Sequence, residues 1–112
     1  MPLSTRKGVT DQLLTLQQFA RCLGDPFTVQ PAGDPALTLE LVEANALVSS
    51  PRHEAFVLLF RGPRTPALEQ GTYGLSHAAL GELALFIVPV RRDQDGTFYE
   101  AVFNLIVAEP AP

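Results

Sequence analysis

Residues 83–107 read LALFIVPVRRDQDGTFYEAVFNLIV, which is two apolar runs separated by an Asp-Gly turn. Both runs are rich in β-branched and aromatic side chains, which favour strands. Asp95-Gly96 readily takes the positive φ angles of a tight connection between antiparallel strands. The stretch therefore predicts a hairpin of two antiparallel strands, 83–90 and 98–107.

The same two-residue rhythm extends back along the chain to Pro26. It predicts four more strands, separated by Pro, Gly, Ser and Asp residues that favour turns: 27–30, 37–44, 54–61 and 71–77. The short breaks leave no room for crossover helices, so the sheet should be antiparallel. We predict a mostly β fold, an antiparallel small barrel or sandwich of about six strands with one short N-terminal helix.

The helix is predicted from apolar residues at helical spacing before Pro26, namely Leu13, Leu16, Phe19, Ala20 and Leu23. Thr10 or Thr15 is placed to cap its start, and Gly24 to end it. The chain of 112 residues suits one core. We expect a flexible tail at 1–9, a single β-rich domain at 10–107 and a loose C-terminal end at 108–112.

Composition excludes several classes of protein. The net charge of −4 disfavours a nucleic-acid partner, since phosphate binding needs a basic surface. No apolar run is long enough for a membrane helix, and the N-terminus lacks the apolar core of a secretory signal. The single cysteine, Cys22, excludes an internal disulfide. We expect a cytoplasmic protein that binds neither nucleic acid nor membrane.

The third and fifth predicted strands are apolar on both faces. An antiparallel sheet with one wet face would alternate apolar and polar residues, so something should cover the second face of these strands. Two candidates are open. The N-terminal helix is one, and a partner chain is the other, because a large exposed apolar patch marks an interface.

Residues able to carry chemistry are few. Ser76 and His77 are neighbours on a strand and project to opposite faces, so they cannot form a nucleophile and base pair. His53, His77 and Glu82 would gather at one end if the strands ran up and down in chain order, as a possible divalent-metal set. Cys22 is expected to be a small buried side chain. We assign no catalytic residue, no metal and no cofactor.

Arginines form the preferred partner-binding surface. The same up-and-down order brings half of the eight basic residues to the opposite end of the sheet: Arg61, Arg64, Arg91 and Arg92. Guanidinium groups bind carboxylate or phosphate in a bidentate manner. The alternative is a solvated rim neutralised by Glu69, Asp93 and Asp95.

Several phrases of the sequence resemble a family of small bacterial proteins catalogued only as a domain of unknown function. The phrases are EAFVLLFRGP at 54–63, LEQGTYGLSHAALGELALFIVPV at 68–90 and DGTFYEAVFN at 95–104, and LGDPFTV and LTLELVEA fit the opening. The likeness covers nearly all of 16–104. It implies no activity and no catalytic residues. Members resemble accessory proteins encoded near phage-tail-like, collar-type genes, which implies a role in assembly.

Three functions are therefore weighed. The first is a non-enzymatic protein-interaction or assembly module that self-associates or binds a partner through an apolar sheet face or the arginine end. The second is a small apolar-ligand carrier, whose interior would be lined by Phe56, Phe60, Phe86 and Phe103. The third is a small metal-dependent enzyme at the His53/His77 end. We expect the first.

Overall fold

The computed structural model describes residues 15–31, 34–50 and 53–106. They form one short helix and six strands: α1 (Leu16–Ala20), β1 (Pro26–Val29), β2 (Leu37–Ser50), β3 (His53–Gly62), β4 (Gly71–His77), β5 (Gly81–Asp93) and β6 (Gly96–Ile106). All strand pairs are antiparallel. The predicted mostly β fold with six strands and one short helix is confirmed. The tails expected at 1–9 and 108–112 lie outside the described residues.

The six strands belong to one sheet, which closes into a ring in the order β1-β2-β3-β6-β5-β4. Two residue pairs between β1 and β4 complete the ring, Thr28↔Ser76 and Val29↔Leu75. Chain order is not followed throughout, because β3 pairs with β6 and not with β4. The connection at 63–70 carries the chain past β6 and β5, so that β4 pairs with β5 and β1.

The β5–β6 hairpin forms as predicted. Asp93 pairs with Gly96, and the Asp93 carboxylate accepts a hydrogen bond from the Asp95 amide at 2.8 Å. Gly96 has a φ of 146°, a conformation that other residues rarely adopt. Pro89 lies beside a register shift between Pro89 and Arg91, as is typical of proline in a strand because it cannot donate to the ladder.

Helix α1 begins at a capping box. The Gln18 amide donates to Thr15 Oγ1 at 3.3 Å, and the Thr15 amide donates to Gln18 Oε1 at 2.9 Å. Thr15 is thus the N-cap, one of the two residues predicted for that role, and the other lies outside the described residues. The chain leaves the helix through Gly24, with a φ of 85°, whose amide donates to the Leu41 carbonyl at 2.7 Å.

Strand β2 is longer than predicted, because it continues through 45–50. Its pairing with β3 contains two register shifts, one between Leu41 and Glu43 and one between Ala46 and Val48. Each shift places one extra residue on β2, which is the geometry of a β-bulge. The second bulge interrupts the alternation of apolar and polar residues within 45–50, the part of β2 that the sequence pattern did not predict.

The core fills the inside of the ring. The largest fully buried side chains include Phe27, Phe56, Phe60 and Tyr99. Phe19 of α1 is also fully buried, and its ring centroid lies 6.0 Å from that of Phe56 and 5.2 Å from that of Phe103. Because Phe56 belongs to the inward set of β3, the helix packs on the inner side of the sheet. Of the two candidates for covering the second face of the third and fifth strands, α1 is therefore not the one that covers their outer faces.

Among the described residues, no helix is both long enough and apolar enough to cross a membrane.

Candidate protein-interaction surface

The four arginines predicted from the sequence lie at one end of the ring. Arg61 of β3 and Arg91 of β5 both pair with Phe98 of β6, one from each side. The Arg91 guanidinium carbon lies 3.9 Å from the centroid of the Phe98 ring, a cation–π contact that leaves Phe98 buried. The strand register therefore places one arginine on each side of Phe98.

The other two arginines meet through a backbone carbonyl. Arg92 Nη1 donates to the Arg64 carbonyl at 3.3 Å, and the Thr97 hydroxyl donates to the same oxygen at 3.2 Å. These bonds fasten the 63–70 connection to β5 and β6. We call the four residues Arg61, Arg64, Arg91 and Arg92 the arginine end.

Carboxylates neutralise part of the arginine end. Arg61 pairs with Glu40 of β2, its partner in the strand register, and Arg91 Nε lies 3.2 Å from Asp93 Oδ2. The sequence named Asp93 for this role but missed Glu40, because the β2–β3 register decides which residues face each other. Exposed pairs of this kind contribute about 0–1 kcal/mol each, so both arginines can exchange partners at small cost.

A shallow cavity of about 360 Å³ lies at the arginine end. Leu68 and Pro89 contribute apolar surface to it, and Arg91 and Arg92 border it. The Leu68 amide is fixed there, because it donates to the Tyr99 hydroxyl at 2.8 Å. The cavity is a surface depression beside the arginines and lies outside the packed core.

Apolar side chains also lie on the outside of the sheet next to the arginine end. In the next outward row Leu59 and Val88 flank Glu100 of β6. In the row after that Val57 pairs with Val102, which is 62% exposed. We call Val57, Leu59, Phe86, Val88 and Val102 the outer apolar face.

Phe86 is a correction to the sequence analysis. It was expected to line the interior with three other phenylalanines, but it points outward from β5 and is 53% exposed. Phe56 and Phe60 are fully buried as expected, and Phe103 is partly buried against the core. Both faces of β5 are apolar, so alternation alone does not distinguish the inner face from the outer one.

The two histidines have separate surroundings. His53 Nε2 lies 2.6 Å from Asn104 Oδ1, at an exposed position on the paired ends of β3 and β6. His77 is buried, and its Nε2 lies 2.9 Å from Asp25 Oδ2. Among the described residues, the structure gathers His77 with Cys22 and Asp25, and not with His53 and Glu82, the companions considered from the sequence. Ser76 is exposed where His77 is buried, so the two project to opposite faces.

The hydrogen bonds of His77 fix its tautomer. Nδ1 accepts the amides of Ala79 and Leu80 at 3.0 and 3.1 Å, so Nδ1 carries no proton. In a neutral imidazole Nε2 must then carry the proton, which it donates to the Asp25 carboxylate. Neither nitrogen keeps a lone pair for a metal ion or for a catalytic proton.

Cys22 completes this group but offers little reactivity. Its thiol lies 3.5 Å from the Gln18 carbonyl and is buried. Burial, with a smaller contribution from the nearby Asp25 carboxylate, raises the pKa of the Cys22 thiol. The thiolate that binds metals or attacks substrates is therefore disfavoured. The contact between Asp25 and His77 joins the α1–β1 loop to the β4–β5 turn, and Cys22 lies beside it.

Comparison with known proteins gives a family but no characterised relative. The family model described as domain of unknown function DUF6916 matches residues 14–103. No curated protein and no solved structure matches the chain.

Proposed function

The chain belongs to the DUF6916 family, a domain of unknown function, and on that premise we propose that it is a non-enzymatic protein-interaction module that binds its partner through the outer apolar face. One observation carries the proposal. Helix α1 packs on the inner side of the sheet, so Phe86 and Val102 remain 53% and 62% exposed. A group of exposed large apolar side chains on a folded domain indicates an interaction site.

The arrangement of this surface supports the proposal. An apolar centre is bordered by the guanidinium groups of Arg61 and Arg91, and protein interfaces commonly combine an apolar centre with a polar rim. Arginine and aromatic residues are also frequent among the residues that contribute most to binding. The apolar sheet face and the arginine end, separate candidates in the sequence, share neighbouring outward rows of the sheet, because Arg61 and Arg91 flank Phe98 and Leu59 and Val88 flank Glu100 in the next row. Its partner is a second copy of the chain or another protein.

A more specific form of the proposal follows from the family resemblance. It is an accessory role in a bacterial phage-tail-like assembly, carried out in the cytoplasm, where such a module would join larger subunits. A domain with a filled core and one apolar outer face has the properties that such a role needs.

Packing inside the ring favours this proposal over a carrier of apolar molecules. The Phe27 and Phe60 rings lie 5.3 Å apart, and the Phe56 and Phe103 rings are stacked at 4.7 Å. Side chains thus occupy the space that a ligand would need. The engaged nitrogens of His77 likewise give no support to a metal-dependent enzyme.

Affinity capture tests the proposal with purified products of the genes encoded beside this one. We expect wild-type protein to retain at least one of them or a second copy of itself, and Phe86→Gln to weaken that binding at least tenfold. Leu47→Gln is the matched control, because Leu47 is 58% exposed but lies on β2 outside the outer apolar face. The proposal fails if Phe86→Gln binds as wild type does, or if the wild type binds neither kind of partner.

A further inference from the structure

Among the described residues, strand β6 has one unpaired edge along about half of its length. Its ladder with β3 runs without a break from Gly62↔Thr97 to His53↔Ile106. Its ladder with β5 begins at Asp93↔Gly96 and ends at Val88↔Glu100. Residues 101–106 therefore have β3 on one side and, in the part of the chain that the structure describes, no strand on the other.

The opposite edge of the same three strands differs. β2 also extends past its neighbour, because β1 pairs with it only as far as Glu40. That free part of β2 contains both register shifts and the charged residue Glu43. Bulges and charges are the features by which natural proteins protect exposed edges from other strands.

The free part of β6 has none of these protections. Its six pairs with β3 contain no register shift, and its sequence, AVFNLI at 101–106, has no charge and no proline. It also carries Val102, which at 62% is the most exposed of the large hydrophobic residues in the described ranges. An unprotected edge next to an uncovered apolar side chain is the geometry in which a further strand is added to a sheet.

We propose that residues 101–106 pair antiparallel with the same residues of a second copy of this chain, so that the two β2-β3-β6 sheets join across a twofold axis. This inference rests on the proposed function, since it names one partner of an interaction module. It adds a contact through the backbone to the apolar contact already described.

The chemistry of the edge favours a second copy over a foreign strand. Residues 101–106 carry no charge, so the same residues of a second copy would meet no charge repulsion. A basic or acidic strand, in contrast, would find no opposite charge on this segment. A twofold interface uses the same surface from both partners, and each copy provides a free segment of equal length. Val102 and its cross-strand partner Val57 from each copy then add apolar contacts on the outer side.

The contact is small. Six residues on each side bury less than the roughly 1,600 Å² of a standard interface, so we expect a dimer that dissociates in the micromolar range. Sedimentation velocity of the full chain from about 1 to 300 µM covers that range. We expect the wild type to change from monomer to dimer with concentration.

Two variants, each with a lysine in place of an exposed valine, test whether the dimer forms through the β6 edge or through another surface. Val102→Lys places a charge on the free segment and should raise the dimer Kd at least tenfold. Val48→Lys is the matched control, because Val48 is 39% exposed on the bulged edge of β2. It should dimerise as the wild type does. Thermal unfolding of both variants checks that they are folded.

Hydrogen exchange distinguishes edge pairing from contact between side chains alone. At a concentration where the dimer is populated, we expect amides within 101–106 to exchange at least fivefold more slowly than in dilute protein. A wild type that stays monomeric at 300 µM, a dimer that Val102→Lys does not weaken, or a dimer without slowed exchange at 101–106 each overturns the inference. If that protein still captures another partner in a Phe86-dependent manner, the proposed function stands and only the self-pairing is rejected.

Discussion

His77 Nε2 lies 2.9 Å from Asp25 Oδ2, and the two residues belong to segments that are 52 positions apart in the sequence. Asp25 directly precedes β1 and His77 ends β4, so this contact lies beside the two residue pairs that close the ring. The His77 ring also caps the β4–β5 turn through Nδ1. The His77 side chain therefore stabilises both the β4–β5 turn and the closure of the ring between β1 and β4.

His77→Ala should destabilise the fold by about 2–4 kcal/mol, because it leaves two amides without their acceptor and a gap beside Phe27, whose ring centroid is 4.6 Å away. Chemical denaturation at neutral pH measures this loss. Asp25→Asn keeps the shape and weakens only the charge-assisted bond, so it should cost about 1 kcal/mol. Asp34→Asn, at an exposed position, is the control with no expected change. Equal stabilities of His77→Ala and wild type would contradict the structural role.

Tyr99→Phe should cost about 1–3 kcal/mol, since it leaves the buried amide of Leu68 without an acceptor. The matched control is Tyr73→Phe, whose hydroxyl donates to the Glu69 carbonyl at an exposed position. That variant should lose less than about 0.5 kcal/mol. Urea unfolding compares the stabilities of the two variants. Faster hydrogen exchange of the Leu68 amide in Tyr99→Phe, but not in Tyr73→Phe, would show that the loss comes from this hydrogen bond. A larger loss in Tyr73→Phe would contradict it.

Alkaline pH should reduce stability through the phenol of Tyr99. Burial is the main cause that raises the pKa of Tyr99 in the folded chain. The unfolded chain then releases its proton first, so the contribution of Tyr99 is complete below about pH 10 and is lost as pH rises through the folded pKa. Denaturation midpoints measured between pH 8 and 11 should fall less steeply in Tyr99→Phe. Parallel slopes for variant and wild type would exclude this cause.

Gly96→Ala should destabilise the β5–β6 hairpin by about 2 kcal/mol or more. The φ of 146° is strained for alanine, and an added Cβ would collide with the Gly62 carbonyl oxygen. Gly74→Ala is the control, because nothing lies within 4 Å of the added carbon. It should leave stability unchanged or raise it by about 0.5–1 kcal/mol. Thermal unfolding of the two variants measures the difference. A Gly96→Ala variant as stable as the wild type would contradict the prediction and show that the turn adjusts to the added carbon.

The sequence predicted the number and direction of the strands well, since these depend on local signals such as Asp95-Gly96 and the alternation in 54–61. It did not predict that β3 pairs with β6, because strand order depends on how the 63–70 connection crosses the sheet. It also placed Phe86 inside. Where both faces of a strand are apolar, only the location of the helix tells which one is covered.

For the candidate surface too, the sequence predicted some features and missed others. The sequence grouped the four residues of the arginine end by assuming that the strands run up and down in chain order. The order differs, but β3 and β5 both lie antiparallel to β6, so their C-terminal ends still lie at the same end of the sheet. Glu40 and Asp25 were missed as partners of Arg61 and His77. Both contacts join residues distant in the chain, and neither has a local pattern that would mark it.

The closure of the ring at β1 and β4 is its narrowest join, with two residue pairs where β3 and β6 share ten. Under heat or a pulling force, that join should part before any other. The cylinder would then unroll into an open sheet with β1 and β4 as its new borders, while the long β3–β6 ladder stays intact. On gentle heating, β1 and β4 would therefore separate before the β3–β6 ladder unfolds.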